Sequence, residues 1–295
     1  GIQRYLLDKA LIDKASTFSS VSPLLETTVT GISKDGERFI LQLSSGKEIA
    51  AQYLALACGV NCRNATQLDI PQIRRKNGCW GISFALEGSY KKTTKEILVL
   101  LKDGFEIYCT PVSKTRLNVA FLTGKKNLPH LQELEVRDKL LREAMEKCFF
   151  EGELVDTPLV TGPLGTTKRT YRQGSVILLG DTAESYDPIS GMGITHGILS
   201  AELAAKALIS IKNNNISEEK ALDEYAINCE KMGRLYRGFT RLTGGLLRSR
   251  LRNILIPVLV KTNLPHLIRK TLKYHSSNQA DTASFFTIFL RLVGK

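Results

Sequence analysis

No apolar run in this 295-residue chain reaches the roughly 18 positions that a membrane-spanning helix needs. The opening residues, GIQRYLLDKALIDKA, carry charges throughout and lack the apolar core of a signal peptide. Initiator methionine is missing too: the chain begins at Gly1, as a processed, trimmed or incomplete product would. The six cysteines include no C-x-x-C pair. Cys58 and Cys62 have neither a second pair nor nearby histidines to complete a zinc site, so no metal is expected. Thiols scattered in this way fit a reducing, cytoplasmic compartment; for Cys58 and Cys62 burial as small packing residues is the expectation, with a redox-active pair as the alternative. There is no internal repeat and no low-complexity tract. Helix-turn-helix, finger and aromatic-and-basic strand patterns are absent, which argues against nucleic acid as a partner.

What is present is ordinary globular material. Hydrophobic residues make up 43% and charged residues 24%, enough for one large domain or two smaller ones. The net charge of +12 is concentrated: between Lys231 and Lys273 stand eleven Lys or Arg and no Asp or Glu. Such a stretch reads either as a solvated helical face or as a peripheral contact with an anionic membrane.

Leu6, Leu7, Leu11 and Ala15 are spaced as on an amphipathic helix. Thr27–Ile32, Phe39–Leu43 and Ile49–Ala57 follow, separated by the turns KDG and SSG, and read as an antiparallel meander whose last strand is buried on both faces. Trp80–Leu86, Ile97–Leu101, Phe105–Thr110 and Leu117–Leu122 read as a second sheet with a turn at Asp103-Gly104, and Leu131–Cys148 as a helix against it. Ser175–Leu179 is a short buried strand and His196–Ile209 a small-residue helix. From Ser217 onward the pattern is helical, with breaks expected at Gly244-Gly245, Pro257 and Pro265.

The richest segment is Gly174–Leu208, GSVILLGDTAESYDPISGMGITHGILSAELAAKAL. A strand ends at Gly180-Asp181, placing a carboxylate at its C-terminal edge, where open α/β sheets bind ligands. A loop with Pro188, Gly191 and Gly193 then leads into a helix whose bare N-terminal amides suit an anion. His196, in that helix's first turn, reads as structural rather than catalytic.

GDTAESYDPISGMGI resembles the GDAA-x-x-x-x-P-x-x-G-x-G-I stretch of the FAD-dependent superfamily that includes geranylgeranyl reductases and aromatic hydroxylases. QRYLLDKAL resembles that superfamily's R-x-x-L/F-D-x-x-L helix, and ACGVNC the segment that closes with A-D-G-x-x-S. The resemblance covers nearly the whole chain up to about Leu208. It implies an α/β (α+β) fold: an FAD-binding Rossmann-like domain, an inserted antiparallel substrate sheet, and a helical C-terminal tail. The implied boundaries are 1–77 and 166–215 for the FAD-binding parts, 78–165 for the substrate sheet and helix, and 216–295 for the tail. The implied cofactor is FAD, with NAD(P)H as candidate electron donor. Arg4 would reach the pyrophosphate, Gly180 and Asp181 the ribityl or ribose part, and Pro188, Gly191, Gly193 and Ile194 the flavin ring.

Three departures qualify this. Nothing matches the G-x-G-x-x-G unit with which the superfamily begins, so the expected chain is N-terminally incomplete and holds FAD weakly. Cys58 stands where hydroxylases carry the acid that contacts FAD and NAD(P)H. FEIYCTP (Phe105–Pro111) lacks the halogenase W-x-W-x-I-P and keeps only Tyr108 and Pro111 of the reductase Y-x-W-x-F-P. No nucleophile or acid–base set appears, as expected where the flavin carries the chemistry. The sequence thus points to a reductase of a hydrophobic organic substrate ahead of a hydroxylase. The alternative is a non-catalytic homologue that binds partners through its basic tail.

Overall fold

The structure, a computed structural model, describes residues 1–74, 78–92, 96–102, 104–127, 129, 133–249 and 251–254. Helix α1 (Arg4–Ser16) forms where expected, but none of its residues is buried: Leu6 and Leu11 lie largely in solvent. Strands β1 (Val29–Asp35), β2 (Arg38–Leu43) and β3 (Glu48–Ala51) make the antiparallel meander. The chain does not continue it. β4 (Leu54–Leu56) leaves for another sheet, and its Ala55 is exposed between buried Leu54 and Leu56, which corrects the expectation of a strand buried on both faces. Short helix α2 (Arg63–Gln67) and strand β5 (Ile73–Arg74) lead to the second sheet.

That sheet holds β6 (Cys79–Tyr90), β7 (Leu98–Lys102), β8 (Phe105–Pro111) and β9 (Arg116–Gly124), antiparallel in the order β6-β9-β8-β7. Alternation drives it: Leu117, Val119 and Phe121 of β9 face Ile82, Phe84, Leu86 and Ile107 in one core. Helix α3 (Leu134–Lys147) covers this face through Ala144, with Leu140, Leu141 and Met145 alongside. β10 (Phe150–Leu154) and β11 (Leu159–Leu164) add to the free edge of β6. Asp103 and Leu131, read as turn and helix start, lie outside the described residues.

The chain then returns. β12 (Thr167–Lys168) pairs with β5, and β13 (Arg172–Gln173) with β14 (Val176–Leu178). β14 runs parallel to β4, so two strands more than a hundred positions apart in sequence meet in register Val176↔Leu54 through Leu178↔Leu56. β15 (Glu184–Ser185), helix α4 (Gly193–Lys212) and helix α5 (Glu218–Leu247) complete the described fold. In the second core Val176, Ile177 and Leu178 pack with Ala204 and Ala207 of α4 and with Leu222, Tyr225 and Cys229 of α5, whose Tyr225 hydroxyl donates to the Leu178 carbonyl (2.6 Å).

One helix expectation changes. α5 runs unbroken through Gly244-Gly245, because glycine weakens a helix but packing decides. Pro257 and Pro265, with most of the basic tail, lie outside the described residues. At 20 residues and high hydropathy, α4 has the length and composition of a spanning helix, yet one face, including His196, Ser200, Ala204 and Ala207, is buried inside the protein.

Candidate active site

β14 ends at Leu178, and Leu179 extends the pairing by donating to the Leu56 carbonyl. The chain then turns at Gly180, in the left-handed region at φ 51°, where a Cβ would stand 3.2 Å from the Gly197 Cα of α4. A side chain is therefore disfavoured twice, by conformation and by the close approach of the helix. The Gly180 N–H donates to Ser200 Oγ (3.0 Å), fastening the turn to α4.

Asp181 follows in a one-turn 3₁₀ segment and is partly buried. Burial raises its pKa, opposed by Arg4, so the structure brings Arg4 within electrostatic reach of Asp181. Arg4 itself is exposed and paired with Asp8 (3.2 Å). An Asp181 Oδ1 atom lies 3.6 Å from where a Gly193 Cβ would be, at the first residue of α4. That helix start has no side-chain cap and no acid in its first turn. Its free amides and roughly half a positive charge face outward beside Asp181. Ile194 is exposed there, and Gly191 closes the preceding Pro188–Ser190 turn at φ 62°. The predicted residues Gly180, Asp181, Pro188, Gly191, Gly193 and Ile194 thus lie along one turn–turn–helix segment, with Gly180 buried beneath it.

The loop of residues 58–62 supports this surface from behind, differently from expectation. Cys58 and Cys62 are not separate packing thiols but form a disulfide, since the tight turn between them brings their Cα atoms to 5.1 Å. Gly59 N–H donates to Thr182 Oγ1 (2.8 Å), and Arg169 bridges the Val60 and Thr182 carbonyls (3.2 and 3.0 Å).

Facing the Pro188 turn, between it and the second sheet, is a cavity of about 350 Å³. Its apolar wall is Leu101, Phe105, Leu122 and Leu247. Its polar wall joins three elements. Arg248, at the end of α5, grips both oxygens of Asp187 (2.7 and 2.9 Å) and one of Glu106 on β8 (2.6 Å). Tyr108 donates to the other Glu106 oxygen (3.0 Å). Burial works against the Arg248 charge, but the two carboxylates outweigh it and raise its pKa. The rim thiol of Cys79 is pushed up to about 11, chiefly by burial. For the ion-paired wall itself, the sequence signals were an acid next to Pro188 and an arginine in a basic run.

Behind the loop, Glu184 is wholly buried and accepts from Tyr171 (2.7 Å) and Arg237 (2.5 Å), while Arg237 also holds Glu230 (2.7 Å). His196 is fully buried between the rings of Tyr186 and Tyr236. It does not line the 350 Å³ cavity described above.

Comparison with known proteins places this architecture. Para-nitrophenol 4-monooxygenase of Pseudomonas sp. (strain WBC-3) is 44% identical over 62 residues, which are 21% of this chain and 15% of that protein. Among solved structures, the myxobacterial chondrochloren halogenase superposes with a TM-score of 0.72 at 15% identity, covering 99% of this chain and 74% of the other. The p-nitrophenol 4-monooxygenase of Pseudomonas putida DLL-E4 gives 0.68 at 16%, covering 99% and 71%. A flavin-dependent halogenase gives 0.69 at 16% over 80% of this chain, which spans only 45% of that protein. At such identities the superpositions speak for the fold, and that fold is the expected FAD-binding flavoprotein one. The sequence model of one family, the FAD binding domain, matches residues 2–237, well over half of the chain. This protein belongs to the FAD-binding-domain family.

Proposed function

We propose that this chain forms the flavin-facing and substrate-facing part of an FAD-dependent monooxygenase that hydroxylates a small aromatic molecule. The observation that carries the reading is the 350 Å³ cavity between the substrate sheet and the Asp187–Gly191 loop. It sits at the low end of the roughly 300–1,000 Å³ usual for ligand sites, room for about one ring rather than a long isoprenoid. The expectation of a geranylgeranyl-type reductase gives way on this ground, and because the relatives above carry monooxygenase and halogenase names.

The residues present fit the flavin half of the cofactor. Gly193 leaves the space beside Asp181 free of a Cβ, Gly180 lets the turn lie close against α4, and the α4 amides offer donors to an electron-rich ring edge. Asp181 would hold the ribityl hydroxyls, with Arg4 nearby for phosphate. When bound, FAD supplies the redox and oxygen-transfer chemistry. The chain's own residues do the rest. Leu101, Phe105 and Leu122 orient a flat ring and keep water from it, while Glu106, fixed by Tyr108 and Arg248, presents a hydrogen-bond acceptor at the cavity wall.

The test is direct. Purified protein supplied with FAD, NAD(P)H and simple phenols, 4-nitrophenol among them, is expected to yield products heavier by one oxygen atom on mass spectrometry. Asp181→Ala should weaken FAD binding measured by flavin fluorescence. Flavin binding with every phenol returned unchanged, or an alkene reduced instead, would overturn the reading.

A further inference from the structure

We propose that Arg248 is a positioning residue: it locks the Pro188–Ser190 turn against strand β8, so that the cavity keeps its shape only while the arginine fork is engaged. The inference rests on the cavity being the substrate site, but the lock itself can be tested without that reading.

All three guanidinium nitrogens of Arg248 bond to carboxylate oxygens, two to Asp187 and one to Glu106. The two acids come from different elements, one from the loop and one from the sheet. Their side chains are only 18% and 11% exposed, whereas Arg248 keeps 43% and closes the pair from the solvent side. Without it, two acids would face each other across a partly dry cavity, where like charges repel more strongly than in water. A lysine cannot replace the geometry, because a single ammonium does not span both carboxylates as the planar fork does.

The loop cannot move at Asp187 alone. Its Oδ1 accepts the Ile189 N–H (3.1 Å), and its carbonyl accepts both the N–H and the hydroxyl of Ser190 (3.1 and 2.9 Å). Displacing Asp187 therefore drags the turn up to Gly191. A small apolar cluster, Ile189 with Leu247, Leu101 and Leu246, joins the same loop and helix to strand β7 beside the fork. The two main cores lie elsewhere. Loss of the fork should thus loosen the site without unfolding the protein.

Hydrogen exchange resolved along the chain decides the matter. Arg248→Lys is expected to melt within a few degrees of the parent yet lose protection at Ile189, Ser190 and Gly191 about ten-fold or more, as the loss of charge-assisted bonds dictates. Residues 176–182 and 218–240 should keep theirs. Arg248→Ala should behave likewise, and added guanidinium ion should restore both its protection and its 4-nitrophenol affinity. Unchanged exchange at 189–191 in both variants would overturn the proposal. So would a loss spread over the whole chain in both that guanidinium does not reverse. If the parent binds no phenol, the functional reading fails while the exchange result still judges the lock.

Discussion

His196 shows how much of this site's character comes from single buried groups. Burial depresses its imidazole from 6.5 to about 4, with Glu184 opposing. Between those values the unfolded chain takes up a proton that the folded chain refuses. The associated stability is whole above about pH 6.5 and lost as pH falls toward about 4, a difference of roughly 3 kcal/mol. His196→Gln should be less stable than the parent near neutral pH, and the gap between their urea midpoints should close on acidification. A constant gap would mean that the imidazole is not held neutral. Arg248 carries the opposite lesson. In the sequence it belonged to a basic run suited to a membrane surface, along with Arg250 and Arg252. In the structure Arg248 is bound to Asp187 and Glu106, Arg252 donates to the Leu101 carbonyl (3.4 Å), and Arg250 lies outside the described residues. Arg237, from the same run, is tied to Glu184 and Glu230.

Helix α5 is the element that organises the site from behind, and its glycines separate two roles. A Cβ on Gly233 would strike the Glu184 carboxylate and stand 2.7 Å from the Tyr171 hydroxyl, whereas one on Gly238 meets nothing. Gly233→Ala should therefore destabilise by about 1–3 kcal/mol through overpacking. Gly238→Ala should stabilise by up to about 1 kcal/mol through helix propensity. Urea unfolding of both variants checks the signs, and a matching gain in each would show that Glu184 does not lie against α5. The 58–62 loop is the second such element. Without reductant, alkylation should label neither Cys58 nor Cys62; after mild reduction the exposed Cys58 should react before the buried Cys62. Ready labelling of Cys58 in the untreated protein would show that the bridge is absent and that Gly59 and Val60 are held by hydrogen bonds alone.

At the scale of the molecule, two cores are joined by the loop that carries the site. Alternation in β6, β8 and β9 and the helical spacing of α3 were readable because each element buries one face, and burial imposes a period on the sequence. The Gly180–Ile194 segment was readable because backbone geometry demands glycine at fixed places, and a left-handed turn leaves a mark in any chain. The sequence by itself therefore determined the elements, the family likeness and the glycine-marked turns of the Gly180–Ile194 segment. Tertiary structure decided the rest: that the run Ile49–Ala57 splits between two sheets, that Cys58 meets Cys62, and that Asp187, Glu106 and Arg248 converge from a loop, a strand and a helix end on one cavity. Cavities and ion pairs between distant segments depend on which faces meet in space, and no local period or propensity records that.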